Sequence, residues 1–290
     1  MKHSLSPKIL KMIEKINSEY GENAISTLTS KIMDVLSERQ STGIESLDKV
    51  LGGGLPVSSI IELYGDPMSG KSTLALRIIA HIQQQGGTAA YLDAEHGFDS
   101  IWAQKFGVNL DMLLFNQPDN GEQAINIAIK LIRGNINIIV IDSVAALTPL
   151  EEIEEQNVEN QKIALLARLM SKSTRLILSA LQDRKSIILF INQFTTPISA
   201  LRFFGAPLST KGGLALKQMS RVRLEIVRSE YIISKEAEEL GIKKGQIGQK
   251  VQIRVTKSKV SPPFLVADFG FMYYTKEELK KLGITDATQS

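Results

Sequence analysis

The largely apolar stretch Ile60–Tyr64 runs straight into Gly65-Asp66-Pro67-Met68-Ser69-Gly70-Lys71-Ser72, and Thr73–Gln85 follows with apolar residues at helical spacing. No other feature restricts the fold of this chain so tightly. A glycine, four residues, then glycine, lysine and serine demands a buried strand, a tight loop and a helix in that order. The glycines let backbone N–H groups curl around phosphate oxygens. The first turn of the helix adds unpaired N–H groups and the positive end of its dipole. Lys71 supplies a point charge for the outer phosphates, and Ser72 offers its hydroxyl to Mg²⁺. Gly65 to Ser72, with Thr73 beside them, are therefore the candidate nucleotide loop.

Such a unit belongs in an alternating sheet, and the chain alternates accordingly. Before the loop, Ile44–Leu51 reads as a short helix closed by Gly52, Gly53 and Gly54. After it come a strand Ala89–Leu92, a helix from Gly121 to about Arg133, a strand Ile136–Ile141, a long helix from about Lys162 to Asp183 and a strand Ile187–Ile191. A continuous apolar run such as Ile136–Ile141 fits a strand buried on both faces. Val222–Val227, Val251–Val255 and Phe264–Phe269 are further strand candidates. The pattern predicts an α/β fold, a doubly wound and mostly parallel sheet with antiparallel strands at one edge. The polar segment Ser229–Gly248 reads as a surface insertion. At the N-terminus, Ile9, Leu10, Ile13 and Ile16 mark an amphipathic helix over 7–19, and Ala24–Glu38 reads as a connector. The expected division is 1–38 as helix and linker, 39–275 as the core, and 276–290 as a short C-terminal helix and tail.

A phosphate loop that turns over its ligand needs a second carboxylate on the metal side. Asp142 closes the apolar run Ile138–Ile141 and fits that role, holding Mg²⁺ through water. Asp93-Ala94-Glu95-His96 follows another strand, and ligands of doubly wound sheets gather where strands end. Glu95 is the candidate base or water-positioning residue; a local cap is the plainer reading of the same carboxylates. Asn192-Gln193 closes a third strand. A neutral amide there can bond a γ-phosphate and register its loss, although a solvent-facing turn fits equally well.

Composition excludes several classes. The chain has no cysteine and only three histidines, so disulfide scaffolds, thiolate metal sites and polyhistidine sites fall away. Thirty-four basic against 31 acidic residues leave a net charge of +3, so any nucleic-acid surface is local. No apolar run approaches the roughly 18–20 residues of a membrane span. The first twenty residues hold no secretory apolar block, and a cytoplasmic protein is expected.

Taken in order, STGIESLDKVLGGGLP, IELYGDPMSGKST, YLDAEHGFDSIWAQKFGV, QPDNGEQA, IDSVAALTP, LARLMS, FINQ, KGGLALK and VTKSKVSPPF resemble the bacterial RecA recombinase family. The likeness runs from about residue 8 to about residue 275. It implies a P-loop ATPase core with an N-terminal arm that docks on the next subunit of a helical filament, and ATP between subunits. It implies ATP and Mg²⁺ as cofactors, and single-stranded and homologous duplex DNA as partners in recombination, repair and the SOS response. By motif, Lys71 and Ser72 bind triphosphate and metal, Asp142 stands on the metal side, Glu95 activates water and Gln193 senses the γ-phosphate. Trp102 takes the place of an aromatic that stacks on adenine, Asp99 that of its amino-group partner, and Tyr273 is a further nucleotide-side aromatic. Lys257 and Lys259 resemble a pair that reaches the neighbour's ATP, in the manner of arginine fingers. The implied DNA loops are Glu154–Lys162 and Phe194–Gly213; Arg168, Arg175, Gly212 and Gly213 align as backbone contacts. Arg202 and the Phe203-Phe204 wedge belong to the second loop.

The chain departs from the family pattern in several places. The first loop, IEEQNVENQ, is acidic and lacks glycine. The second begins Thr195, Thr196, Pro197 without a basic side chain, a gap that Arg202 would fill. Gln218 stands where the family carries an interface aromatic, and the family's C-terminal domain is expected to be absent. An active recombinase is the leading reading. A nucleotide- and DNA-binding accessory protein without strand exchange, and a P-loop enzyme acting on a small molecule, are the alternatives.

Overall fold

The structure, a computed structural model, describes residues 5–21, 24–25, 38–154, 165–195 and 209–284. The chain divides into two compact units, Met1–Glu38 and Arg39–Ser290. In the first, α1 (Pro7–Tyr20) starts with proline inside its first turn and ends where the Gly21 N–H returns to Asn17 O at 3.0 Å. None of its residues is buried.

The second unit runs β1 (Arg39–Gln40), α2 (Glu45–Val50), β2 (Leu55–Pro56), β3 (Ser59–Tyr64), α3 (Lys71–Gln84), β4 (Ala89–Asp93), α4 (Ser100–Lys105) and β5 (Leu113–Asn116). It continues with α5 (Gly121–Arg133), β6 (Ile138–Asp142), α6 (Leu150–Glu154), α7 (Leu165–Leu181), β7 (Ile187–Asn192), β8 (Phe194–Thr195) and β9 (Ser209–Thr210). The last elements are α8 (Leu214–Met219), β10 (Val222–Ile233), α9 (Lys235–Glu239), β11 (Gln246–Ser258), β12 (Val266–Met272) and α10 (Lys276–Lys281).

Eight strands form one sheet in the order β12-β11-β10-β3-β7-β6-β4-β5. The six from β10 to β5 are parallel, and β11 and β12 add on antiparallel at one edge, matching the α/β expectation. Helices cover both faces. Ile61, Leu63, Val140 and Leu189 face a core shared with α3, whereas Ile60, Ile139, Ile141 and Phe190 face one shared with α5 and α7. Period-two alternation therefore sorts an unbroken apolar strand between two cores. Each fully buried Leu or Ile contributes roughly 1.5–3 kcal/mol against the entropy of ordering the chain. Among the described residues, no helix is long and apolar enough to cross a membrane.

Some sequence expectations need correction. The helix after the loop starts at Lys71 rather than Thr73, so Lys71 and Ser72 belong to its first turn. Ser229–Gly248 is not a plain surface insertion: β10 and β11 extend through it, α9 sits between them, and Ala237 and Ile247 bury with Leu279 and Ile284. Its few apolar residues are irregularly spaced among charges, so no period betrayed this small core. The edge strand β5 was missed because four residues are too short for a pattern.

Candidate active site

Sheet order decides what meets. The loop after β3, the Asn192-Gln193 end of β7, Asp142 at the end of β6 and Glu95 after β4 lie along one carboxyl edge of four adjacent strands. A cavity of about 430 Å³ opens there, lined by Pro67, Met68, Gly70–Thr73, Glu95, Trp102, Asp142, Gln193, Gln249 and Tyr273. Its size suits a nucleotide. Gly70 has φ +100°, and a Cβ there would stand 2.8 Å from Phe271 and Gln249, so only glycine keeps the loop this close to β11 and β12. The Lys71 ammonium bonds the carbonyls of Gly65 at 3.1 Å and Asp66 at 2.7 Å. Burial pushes its pKa down, while the Asp142, Glu95 and Asp66 carboxylates push it up. An ammonium bound only to neutral carbonyls fits an incoming phosphate.

Asp142 is 7% exposed and accepts hydrogen bonds at one oxygen, Oδ2, from Ser72 Oγ and Tyr91 Oη, both at 2.6 Å. Burial raises its pKa, the two hydroxyls lower it, and Glu95 and Asp93 raise it again. Burial also drives the Tyr91 hydroxyl far above its ordinary pKa. A hydroxyl and a carboxylate, with oxygen lone pairs to spare, form a donor set suited to a hard divalent cation. Glu95 N lies 3.2 Å from Asp142 O, and the Glu95 carboxylate accepts from Ser143 Oγ and from Gln193 Nε2 at 3.1 Å. Asp93 does not line the cavity. It holds the N–H groups of Gly97 and Phe98, both at 3.1 Å, and so shapes the turn that carries Glu95.

On the base side, Trp102 Nε1 donates to Thr73 Oγ1 at 3.3 Å, and its ring lies 6.1 Å from that of Tyr273. Asp99 does not line the cavity; it caps α4 through the N–H groups of Ile101 and Trp102. Sequence reasoning missed Gln249, whose side chain accepts from Tyr273 Oη at 2.9 Å. Lys257 and Lys259 also lie outside this chain's own cavity. Lys257 Nζ bonds the carbonyls of Lys217 and Gln218, and burial with the nearby Lys259 charge lowers its pKa.

Arg168 and Arg175 are exposed on α7, with Lys172 between them on the same face. Gly212 and Gly213 pass against the same helix, where Cβ atoms would stand 3.0 Å from Met170 and 2.9 Å from Ala167. Arg202, Phe203 and Phe204, with all of the first loop except Glu154, lie outside the described residues. The second loop is rooted in a ribbon that pairs Phe194 with Thr210 and Thr195 with Ser209.

Beneath this edge lies a polar network that the sequence reading did not find. Glu62, fully buried, accepts from Arg223 Nε at 2.5 Å and from Asn192 Nδ2 at 2.9 Å. Arg223 reaches Thr210 Oγ1 at 3.3 Å and lies 4.5 Å over the Tyr64 ring; Asn192 also bonds Lys211 O at 2.9 Å. Only the charge of Glu62 inside an apolar strand could have signalled it.

A family model described as the RecA N-terminal domain matches residues 8–277. The protein RecA of Bacillus pumilus (strain SAFR-032) is 45% identical over 266 residues, which is 91% of this chain and 72% of that protein. Protein RecA of Paramagnetospirillum magneticum is 44% identical over 273 residues, 93% of this chain and 72% of its own. Protein RecA of Bacillus subtilis (strain 168) is 45% identical over 266 residues, again 91% and 72%.

Proposed function

This chain belongs to the RecA family, and from that premise we propose that it is a DNA-dependent ATPase and recombinase. It forms filaments on single-stranded DNA and promotes pairing and strand exchange with a homologous duplex. One observation supports the reading above the others. Gln193 bonds Glu95 inside the cavity, and its carbonyl accepts from Lys211 N at 3.1 Å at the root of the second loop's ribbon. A single residue thus touches both the place where a γ-phosphate would sit and the loop that would meet DNA.

In this reading Lys71 and the loop N–H groups bind the triphosphate, and Ser72 and Asp142 hold Mg²⁺. A divalent cation held there would supply positive charge against the phosphates. Glu95 orients the attacking water, and Gln193 leaves Glu95 for the γ-phosphate and shifts the ribbon as it moves. Trp102 and Tyr273 receive the base. Lys257 and Lys259 act on the nucleotide of a neighbouring subunit. Arg168, Arg175 and the N–H groups of Gly212 and Gly213 take DNA phosphates without reading bases. The proposed domains are an oligomerisation arm over 1–38, an ATPase core over 39–275 and a short C-terminal helix and tail over 276–290.

The test is steady-state ATP hydrolysis with and without single-stranded DNA at low salt, followed by strand exchange between long homologous DNAs. DNA-stimulated turnover that falls steeply with salt supports the reading. Equal turnover with and without DNA overturns the coupling through Gln193 and leaves the accessory reading.

A further inference from the structure

Tyr91 is a tyrosine in the middle of a buried strand, 2% exposed, and none of the roles assigned above uses it. A phenol hydroxyl in a core is costly unless it finds a partner. This one finds a charged partner, Asp142 Oδ2 at 2.6 Å, on the oxygen that also accepts from Ser72. The sheet register makes the contact possible. Tyr91 stands opposite Val140, two residues before Asp142, so its ring reaches along β6 to the strand end. The ring is seated against Phe98 at 5.1 Å, which in turn packs on Phe115 at 4.9 Å.

We propose that Tyr91 is a positioning residue for the metal side of the nucleotide site, holding the Asp142 carboxylate in the orientation from which Asp142 and Ser72 receive a divalent cation. The inference rests on the nucleotide reading of the cavity. Against a carboxylate, a phenol can only donate. Ser72 spends its one hydrogen on the same oxygen, which leaves the lone pairs of its Oγ free for the cation. Two donors on Oδ2 pin the carboxylate. With one donor removed, only the Ser72 hydroxyl still holds Oδ2, and the carboxylate is free to turn out of the orientation that faces the cation. The phenol therefore keeps the carboxylate aimed at the metal.

The test is Tyr91→Phe, which removes one oxygen and keeps the ring. ATP binding is followed by the fluorescence of Trp102, the single tryptophan, which lines the cavity. Titrations run in EDTA and across a Mg²⁺ series, for the wild type, Tyr91→Phe, Asp142→Asn and the double variant. Loss of an outer partner of a metal ligand typically costs about tenfold or more in metal affinity. The expected result is a Mg²⁺ midpoint raised about tenfold in Tyr91→Phe, unchanged binding in EDTA, and no effect of the change in the Asp142→Asn background. An unmoved midpoint, or an equal loss in EDTA and in Mg²⁺, overturns the positioning role while leaving the nucleotide reading intact. A wild type that binds no ATP at any Mg²⁺ concentration overturns the nucleotide reading and this inference with it.

Discussion

Replacing Arg223 by methionine probes the buried network most directly. The pair it breaks is closed from water: the side chains of Arg223 and Glu62 are 8% and 0% exposed, and their N–O distance is 2.5 Å. Methionine keeps much of the packing over Tyr64 and removes the charge. Glu62 then retains only the Asn192 amide as a partner. Leaving one member of such a pair uncompensated costs about 3–5 kcal/mol, a large share of the roughly 5–15 kcal/mol that holds a domain folded. Replacing both charges, Glu62→Gln with Arg223→Met, removes the desolvation of two ions together with their attraction, and is expected to lie within about 1 kcal/mol of the wild type. The assay is urea unfolding without nucleotide, at a salt concentration that suppresses assembly. With a slope near 3 kcal/mol per M, the single variant shifts the midpoint down by about 1–1.7 M. The double variant recovers most of that shift. A single variant that unfolds with the wild type, or a double variant worse than the single, refutes the reasoning. Arg223 also holds Thr210, so the single variant should lose DNA stimulation in conditions where it is still folded.

Four further outcomes follow from the site. Lys71→Ala removes the cation that, among the described residues, lines the cavity, and should abolish nucleotide binding measured by Trp102 fluorescence; near-normal hydrolysis would contradict the assignment. Glu95→Gln keeps the hydrogen-bonding shape and loses the charge, so ATP binding should persist while turnover falls about 10²–10⁴-fold. Asp142 has a folded pKa raised by burial, so in metal-free protein its contribution to stability is present below the unfolded carboxylate pKa and is lost as pH rises through the folded value. Asp142→Asn should therefore melt higher than the wild type at neutral pH without metal, lose that part of the pH dependence, and gain nothing from Mg²⁺ with ATP. Lys257→Ala should leave nucleotide binding alone and lower DNA-stimulated turnover by roughly 10²-fold or more, if the lysine acts across a subunit contact.

Much of the sheet was legible because its signals are local. Gly65–Ser72 states strand, loop and helix within a dozen residues, and the apolar runs at Ile138–Ile141 and Ile187–Ile191 announce two-sided burial. Chain neighbours alone set these features, through backbone sterics, hydrogen-bond period and side-chain alternation. The candidate residues that end strands, Asp142, Glu95 and Gln193, could be named for the same reason. Spacing alone could not name their partners.

Partners depend on strand order and register, and one alternating pattern is compatible with many orders. Only the order β3-β7-β6-β4 puts Gln193 against Glu95, and only the pairing of Tyr91 with Val140 brings a phenol to Asp142. The Glu62–Arg223 pair joins residues 161 positions apart, and the sequence reading passed over both. The small core under Ser229–Gly248 likewise gathers four residues from three separate stretches. The parallel α/β sheet, its phosphate loop and the strand ends where chemistry gathers are written in short-range periodicity and could be read from the chain alone. Which charges share an oxygen, which are buried in pairs and which face the cavity follow from how the fold is assembled, because a buried polar group must find its partner across the fold, wherever the chain happens to bring one.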